Sequence, residues 1–142
     1  MPDSNSLVKT IVINSNPDKV WSYLTDREKL GTWYHPAQAD LTEGADYSLI
    51  GGDNPDSPKP QVWGRVLEMK RPIRLVCTFV IGPFEGREST VTWDLTPIGD
   101  STMVTVTHDG IAEAVTGNAA PLFAALDKGW DEHFARLRSS AA

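Results

Sequence analysis

Few residues in this sequence carry reactive chemistry, and their spacing narrows what they can do. The three histidines, His35, His108 and His133, are isolated from one another, and none has a second ligand at metal spacing such as a partner four residues along a helix. No metal site is expected. No Gly-x-Ser-x-Gly elbow is present, and Gly51-Gly52 lacks the following lysine and helix of a phosphate-binding loop. No catalytic residue and no cofactor is therefore assigned. Two positions remain open as proton carriers. His108 falls on the apolar side of an alternating strand, where an imidazole either orients a ligand or moves protons, or is a neutral buried group hydrogen-bonded to a neighbour. Glu68 would be a candidate general base if its strand turned it inward. His133 flanks an apolar helical stripe, at the edge of the interior or in solvent, and His35, just before Pro36, reads as structural. Cys77, the only cysteine, sits in an apolar strand with no activating neighbour in sequence and reads as a small buried side chain.

The elements that must position these groups follow from periodicity. From Asn118 to about Arg138, Leu122, Phe123, Leu126, Trp130, Phe134 and Leu137 recur at three- and four-residue steps, giving one apolar stripe on a long helix. Asn118 is a suitable N-cap, Pro121 is tolerated in the first turn, and Arg136 and Arg138 suit the negative end of the helix dipole. At about 1.5 Å per residue this helix is roughly 30 Å long and needs a sheet to lie on. Gly129 within it costs about 1 kcal/mol relative to alanine. That cost is accounted for if Gly129 permits close approach to the sheet or lets Trp130 swing.

The rest of the chain supplies that sheet. Leu7 to Asn14 reads as a strand, Pro17 opens a helix with Val20, Trp21 and Leu24 inward, and Asp26 caps a second helical piece from Arg27 to Tyr34. Six further strands are expected at Ala37–Leu41, Asp46–Ile50, Gln61–Lys70, Arg74–Ile81, Arg87–Thr96 and Thr102–His108, joined by turns short enough to make neighbours antiparallel. The loop from Gly51 to Lys59 reads as a mobile hairpin at the sheet rim. Alternation puts Val91, Trp93 and Leu95 on one face, with Val104, Val106 and His108, and with Leu75, Cys77 and Phe79. For Gln61–Lys70 the register stays open, because Trp63, Leu67 and Met69 share a face with Arg65 while Val62 and Val66 take the other.

Composition excludes several classes. A chain of 142 residues, 40% hydrophobic and 23% charged, is expected to form one globular domain, with its core between about residues 7 and 138. A net charge of −6 supplies no basic stripe, so neither nucleic acid nor an anionic membrane is an expected partner. The opening MPDSNSLVKT lacks the charged and apolar regions of a signal peptide, and no apolar run is long enough to span a bilayer. A cytoplasmic protein, monomeric or homodimeric, is expected.

Taken together, Thr10-Ile11-Val12-Ile13, Val20-Trp21, Thr25-Asp26, Leu30, Trp33, Gly64, Pro72 with Leu75, Val91-Thr92-Trp93-Asp94-Leu95, Thr105 to Gly110 and Gly129-Trp130 resemble the SRPBCC superfamily, and within it the AHSA1-like group named for the activator of Hsp90 ATPase. The resemblance covers about Val8 to Leu137. It implies an α+β helix-grip (START/Bet v 1-like) fold of order β-α-α-β6-α, in which the last helix lies across a curved antiparallel sheet. It also implies a space between sheet and helix that relatives use for apolar molecules or close altogether. The residues expected to line it are Trp33, Phe79, Trp93, Val106, His108, Phe123, Leu126 and Trp130. Three functions are then open. They are a binder of a small apolar, lipid- or polyketide-like ligand, a cyclase/aromatase-like enzyme using His108 or Glu68, and a module acting on an Hsp90-type chaperone. The first is favoured.

Overall fold

The computed structural model describes residues 6–51 and 59–142. Its strands are β1 (Leu7–Ile13), β2 (Asp46–Gly51), β3 (Lys59–Lys70), β4 (Arg74–Phe79), β5 (Ser89–Ile98) and β6 (Ser101–Asp109). The helices are α1 (Pro17–Thr25), α2 (Leu30–Trp33), α3 (Ile111–Ala114) and α4 (Ala120–Ala141). The expected mobile loop lies, from residue 52 to 58, outside the described residues.

Local chemistry explains the boundaries. Asn16 caps α1 by accepting from the Lys19 amide at 2.9 Å, and Pro17 fills the first turn, where no helical donor is needed. Asp26 accepts from the amides of Glu28 and Lys29, both at 3.0 Å, so the chain turns directly into α2. These bonds, foremost the one from Lys29, hold the Asp26 carboxyl below its ordinary range. Helix α4 begins at Ala120 and not at the residue after Asn118; Asn118 still contributes, its Oδ1 accepting from the Ala120 amide at 3.1 Å.

All six strands form one antiparallel sheet in the order β1-β6-β5-β4-β3-β2. Its inner face carries Val62, Val66, Leu75, Cys77, Phe79, Val91, Trp93, Leu95, Val104, Val106 and His108, all buried, and α4 completes the core with Trp130, Phe134 and Leu137. The helix-grip architecture expected from the sequence is thus present. Within it, Ala37–Leu41 makes no strand of its own: it has one bridge, Ala37 to Leu49. The amides of Ala37 and Leu41 turn back to the carbonyls of Arg27 and Thr25, which leaves too few groups for a ladder with β2.

A bulge between Val66 and Glu68 resolves the open register of β3. Val62 and Val66 point inward before it, and Met69 lies opposite buried Leu75 after it, so each half of the strand follows a different alternation. Glu68 pairs with Val76 on the outer face and is bound by Arg74 at 3.1 Å and Lys70 at 3.5 Å. It therefore cannot act as a base inside the fold.

Two glycines behave differently. A Cβ on Gly64 would stand 2.4 Å from the carbonyl oxygen of Thr78, so β3 and β4 approach there only because the side chain is missing. A Cβ on Gly129 would meet nothing within 4 Å, which overturns the reading that this glycine allows α4 to press on the sheet. Gly129→Ala is accordingly expected to stabilise the protein by about 0.5–1 kcal/mol in denaturant unfolding, since it removes unfolded-chain freedom at no steric cost.

Candidate functional site

The interior is organised by three tryptophans from three elements. Trp93 on β5 meets Trp33 of α2 edge-on at 5.8 Å and Trp130 of α4 edge-on at 5.6 Å, with Phe134 also at 5.6 Å. The indole N–H of Trp33 donates to the carbonyl of Tyr23 at 2.8 Å, so this ring is buried with its polar atom satisfied.

His108 has an equally defined place. Trp130 Nε1–H, which can only donate, points at His108 Nδ1 at 3.1 Å. Nδ1 is therefore the unprotonated nitrogen, and Nε2–H donates to Ser89 Oγ at 2.8 Å, whose own hydroxyl donates to the Phe79 carbonyl at 2.8 Å. Helix α4 is thereby wired through β6 and β5 to β4. Burial pushes the imidazole down to about 3, and the ring of Phe79 packs edge-on against it at 4.5 Å. Both nitrogens are engaged and the ring is neutral, so of its two readings the structural one holds.

Between the sheet, α1, α2 and α4 lies a cavity of about 40 Å³. Its walls are Leu24, Leu30, Trp33, Tyr34, Leu41, Tyr47, Leu49, Val62, Leu75, Cys77, Phe79, Val91, Trp93 and Trp130. Of the residues expected to line such a space, Trp33, Phe79, Trp93 and Trp130 do so. Val106 and His108 are fully buried beside it, while Phe123 and Leu126, on the part-buried first half of α4, stand away from it. In the same part of α4, Lys9 reaches from β1 to Asp127 at 2.6 Å and Asp131 at 3.1 Å. The empty space instead lies under α2 and the middle of α4.

Two tyrosines and a cysteine, Tyr34, Tyr47 and Cys77, are among the residues of an otherwise apolar wall. Tyr47 donates to the Thr78 carbonyl at 2.6 Å, across Gly64, its partner in the β2–β3 ladder. Burial pushes the hydroxyls of Tyr34 and Tyr47 above the ordinary phenol range and raises the Cys77 thiol to about 12, so Cys77 is no nucleophile. Among the described residues the Tyr34 hydroxyl has no hydrogen-bond partner.

Among the polar side chains, Ser89 beside His108 and Tyr34 and Tyr47 in the cavity wall were not singled out as site residues by the sequence reading, nor were the apolar wall residues Leu24, Leu30, Leu41, Leu49, Val62, Leu75 and Val91. Ser89 had a signal, since it shares the parity of Val91, Trp93 and Leu95 and is a polar residue on their apolar face. Tyr34, at the end of a single helical turn, had none. Among the described residues, no group of three or more histidine, cysteine or acidic side chains is placed to hold a metal ion, and no helix is long and apolar enough to cross a membrane.

The family of activator of Hsp90 ATPase homolog 1-like proteins matches residues 14–142. No curated protein sequence matches the chain. Among solved structures, the fold is similar to CalU16 from Micromonospora echinospora, at 23% identity and a TM-score of 0.75 over 96% of this chain and 76% of that one. Protein MLL2253 from Mesorhizobium loti matches at 19% identity and a TM-score of 0.78, over 95% of each chain. PFC0360w, an HSP90 activator from Plasmodium falciparum, matches at 20% identity and a TM-score of 0.63, over 80% of this chain and 75% of that one. At these identities the likeness is one of fold.

Proposed function

The chain belongs to the activator of Hsp90 ATPase homolog 1-like group of the SRPBCC superfamily, and from that premise we propose that it binds a small apolar ligand in the cavity behind Trp33, Trp93 and Trp130. The observation that carries this reading is an apolar space walled by aromatic side chains from the sheet, α2 and α4, Trp33, Tyr34, Phe79, Trp93 and Trp130 among them. At about 40 Å³ the space takes only a few water molecules, whereas ligand sites commonly span roughly 300–1,000 Å³. Binding therefore requires a wall to move. The lightest wall is α2, a single turn carrying Leu30, Trp33 and Tyr34, which can shift without breaking a sheet hydrogen bond. On this reading the protein acts in the cytoplasm, as a monomer or homodimer.

The test is energy transfer from tryptophan to an uncharged naphthylamine probe. Saturable transfer is expected, and Cys77→Leu, which fills the cavity from β4, is expected to weaken it about tenfold or more, as filling a packed site does. Absence of transfer, or an unchanged response in Cys77→Leu, would remove the reading. Stimulated ATP hydrolysis by an Hsp90-type chaperone, insensitive to that substitution, would favour the chaperone-directed function instead. The proton-transfer alternative loses both of its candidate residues, because His108 is locked neutral and Glu68 lies outside.

A further inference from the structure

Beside the cavity, on the far side of Tyr34, lies a second cluster that the binding reading does not use. His133 and Arg136 stand one turn apart on α4, and His35 follows directly after Tyr34 at the end of α2. The Tyr34 ring lies 4.3 Å from that of His133 and 4.9 Å from that of His35, and the two imidazoles are 6.5 Å apart. Arg136 donates through Nε to the Trp33 carbonyl at 3.1 Å and through Nη2 to His133 Nδ1, leaving the rest of its fork for another partner.

The charge balance of this cluster is one-sided. Among the described residues no carboxylate pairs with Arg136; the nearest acid along the helix, Glu132, lies 3.8 Å from Lys128. Burial, followed by the Arg136 charge, lowers both His35 and His133, the latter to about 4, with His35 adding to the effect and the Trp33 carbonyl opposing it. In a chain of net charge −6, three basic groups have thus been gathered around one aromatic ring without a counter-ion among the described residues. An oxyanion placed there would receive charge-assisted hydrogen bonds from the guanidinium and draw protons onto the imidazoles.

We propose that Arg136, His133 and His35 hold the carboxylate of an amphipathic acid whose hydrocarbon part passes Tyr34 into the cavity. The assignment rests on the ligand-binding reading above and adds the chemical class of the ligand. Tyr34 is the joint, since the same residue lines the apolar cavity and packs at a tilt of 53° against the His133 ring.

The experiment follows the histidine imidazole resonances of the whole chain by NMR during titration with decanoate, decanol and inorganic phosphate. At neutral pH decanoate is expected to bind about tenfold more tightly than decanol, the difference a charge-assisted contact supplies. The His133 titration should move up by about one unit with decanoate and stay in place with decanol. Arg136→Met should lose the preference while retaining decanol binding, which also reports that its fold is intact; His133→Phe, which keeps a ring against Tyr34, should lose part of it. Equal binding of decanoate and decanol, or a preference that survives in Arg136→Met, would overturn the head-group assignment and leave the cavity reading standing. Phosphate binding as tightly as decanoate would overturn the link between tail and head group. If neither decanoate nor decanol binds, both readings fall.

Discussion

Replacing His108 with alanine is expected to destabilise the protein by about 3–5 kcal/mol, which for a domain of this size lowers the melting temperature by on the order of 10 °C. Two losses add. Removal of a fully buried ring leaves a cavity between Phe79 and Trp130. It also strands the Trp130 N–H, which has His108 Nδ1 as its acceptor, and takes the Nε2 donor from Ser89. Companion variants separate these contributions. His108→Phe restores volume and leaves the indole N–H unpaired, for a cost of about 1–3 kcal/mol. His108→Gln offers one acceptor and one donor and should cost least. If Phe and Gln are equally mild, packing alone matters and the hydrogen-bonded relay contributes nothing.

The second large effect is acid sensitivity. An unfolded histidine titrates near 6.5, whereas burial holds His108 in the folded protein at about 3. Between these values the unfolded chain takes up a proton that the native state refuses, so stability is fully present above about pH 6.5 and is lost as pH falls toward 3. The slope is about 1.4 kcal/mol per pH unit from this residue alone. His133 shifts in the same direction and is more exposed, so its share is smaller. Chemical denaturation of the parent and of His108→Gln at pH 6 and pH 4 isolates the effect: the parent should lose about 2.5 kcal/mol more than the variant. Equal losses would mean that the imidazole is accessible to protons in the native state.

Much of this architecture is legible in the residues. Period-two alternation in β5 and β6 places Trp93, Val106 and His108 on one inner face, and the 3.6-residue stripe of α4 brings Trp130 and Phe134 against it. Asn16 caps α1 as a short polar side chain before Pro17, whereas Asp26 ends α1 and holds the turn through Lys29, so that α2 starts at Leu30 and not at Arg27. What escapes the sequence depends on register and on empty space. Glu68 could be placed outside only once the bulge after Val66 was seen, because a bulge exchanges the two faces in mid-strand without any residue type that demands it. The partnership of His108 with Ser89 and Trp130 requires the pairing of Val91 with His108 and the rotation of α4, neither of which is local. Phe123 and Leu126 belong to the apolar stripe and yet do not wall the cavity, since periodicity gives a helix face and not the height at which the helix rides. The cluster of His35, His133 and Arg136 joins two elements about a hundred residues apart in sequence, and no spacing rule connects them.

The central claim is that an apolar molecule lodges beneath α2 and the middle of α4, and intermolecular NOEs between a bound apolar ligand and the protein test it most directly. Contacts to the side chains of Leu49, Leu75, Val91 and Trp93 are expected, because these line the cavity and are buried in the ligand-free protein. Contacts confined to the exposed Leu67, Ile73 and Ile98, or no contacts at all, would contradict it.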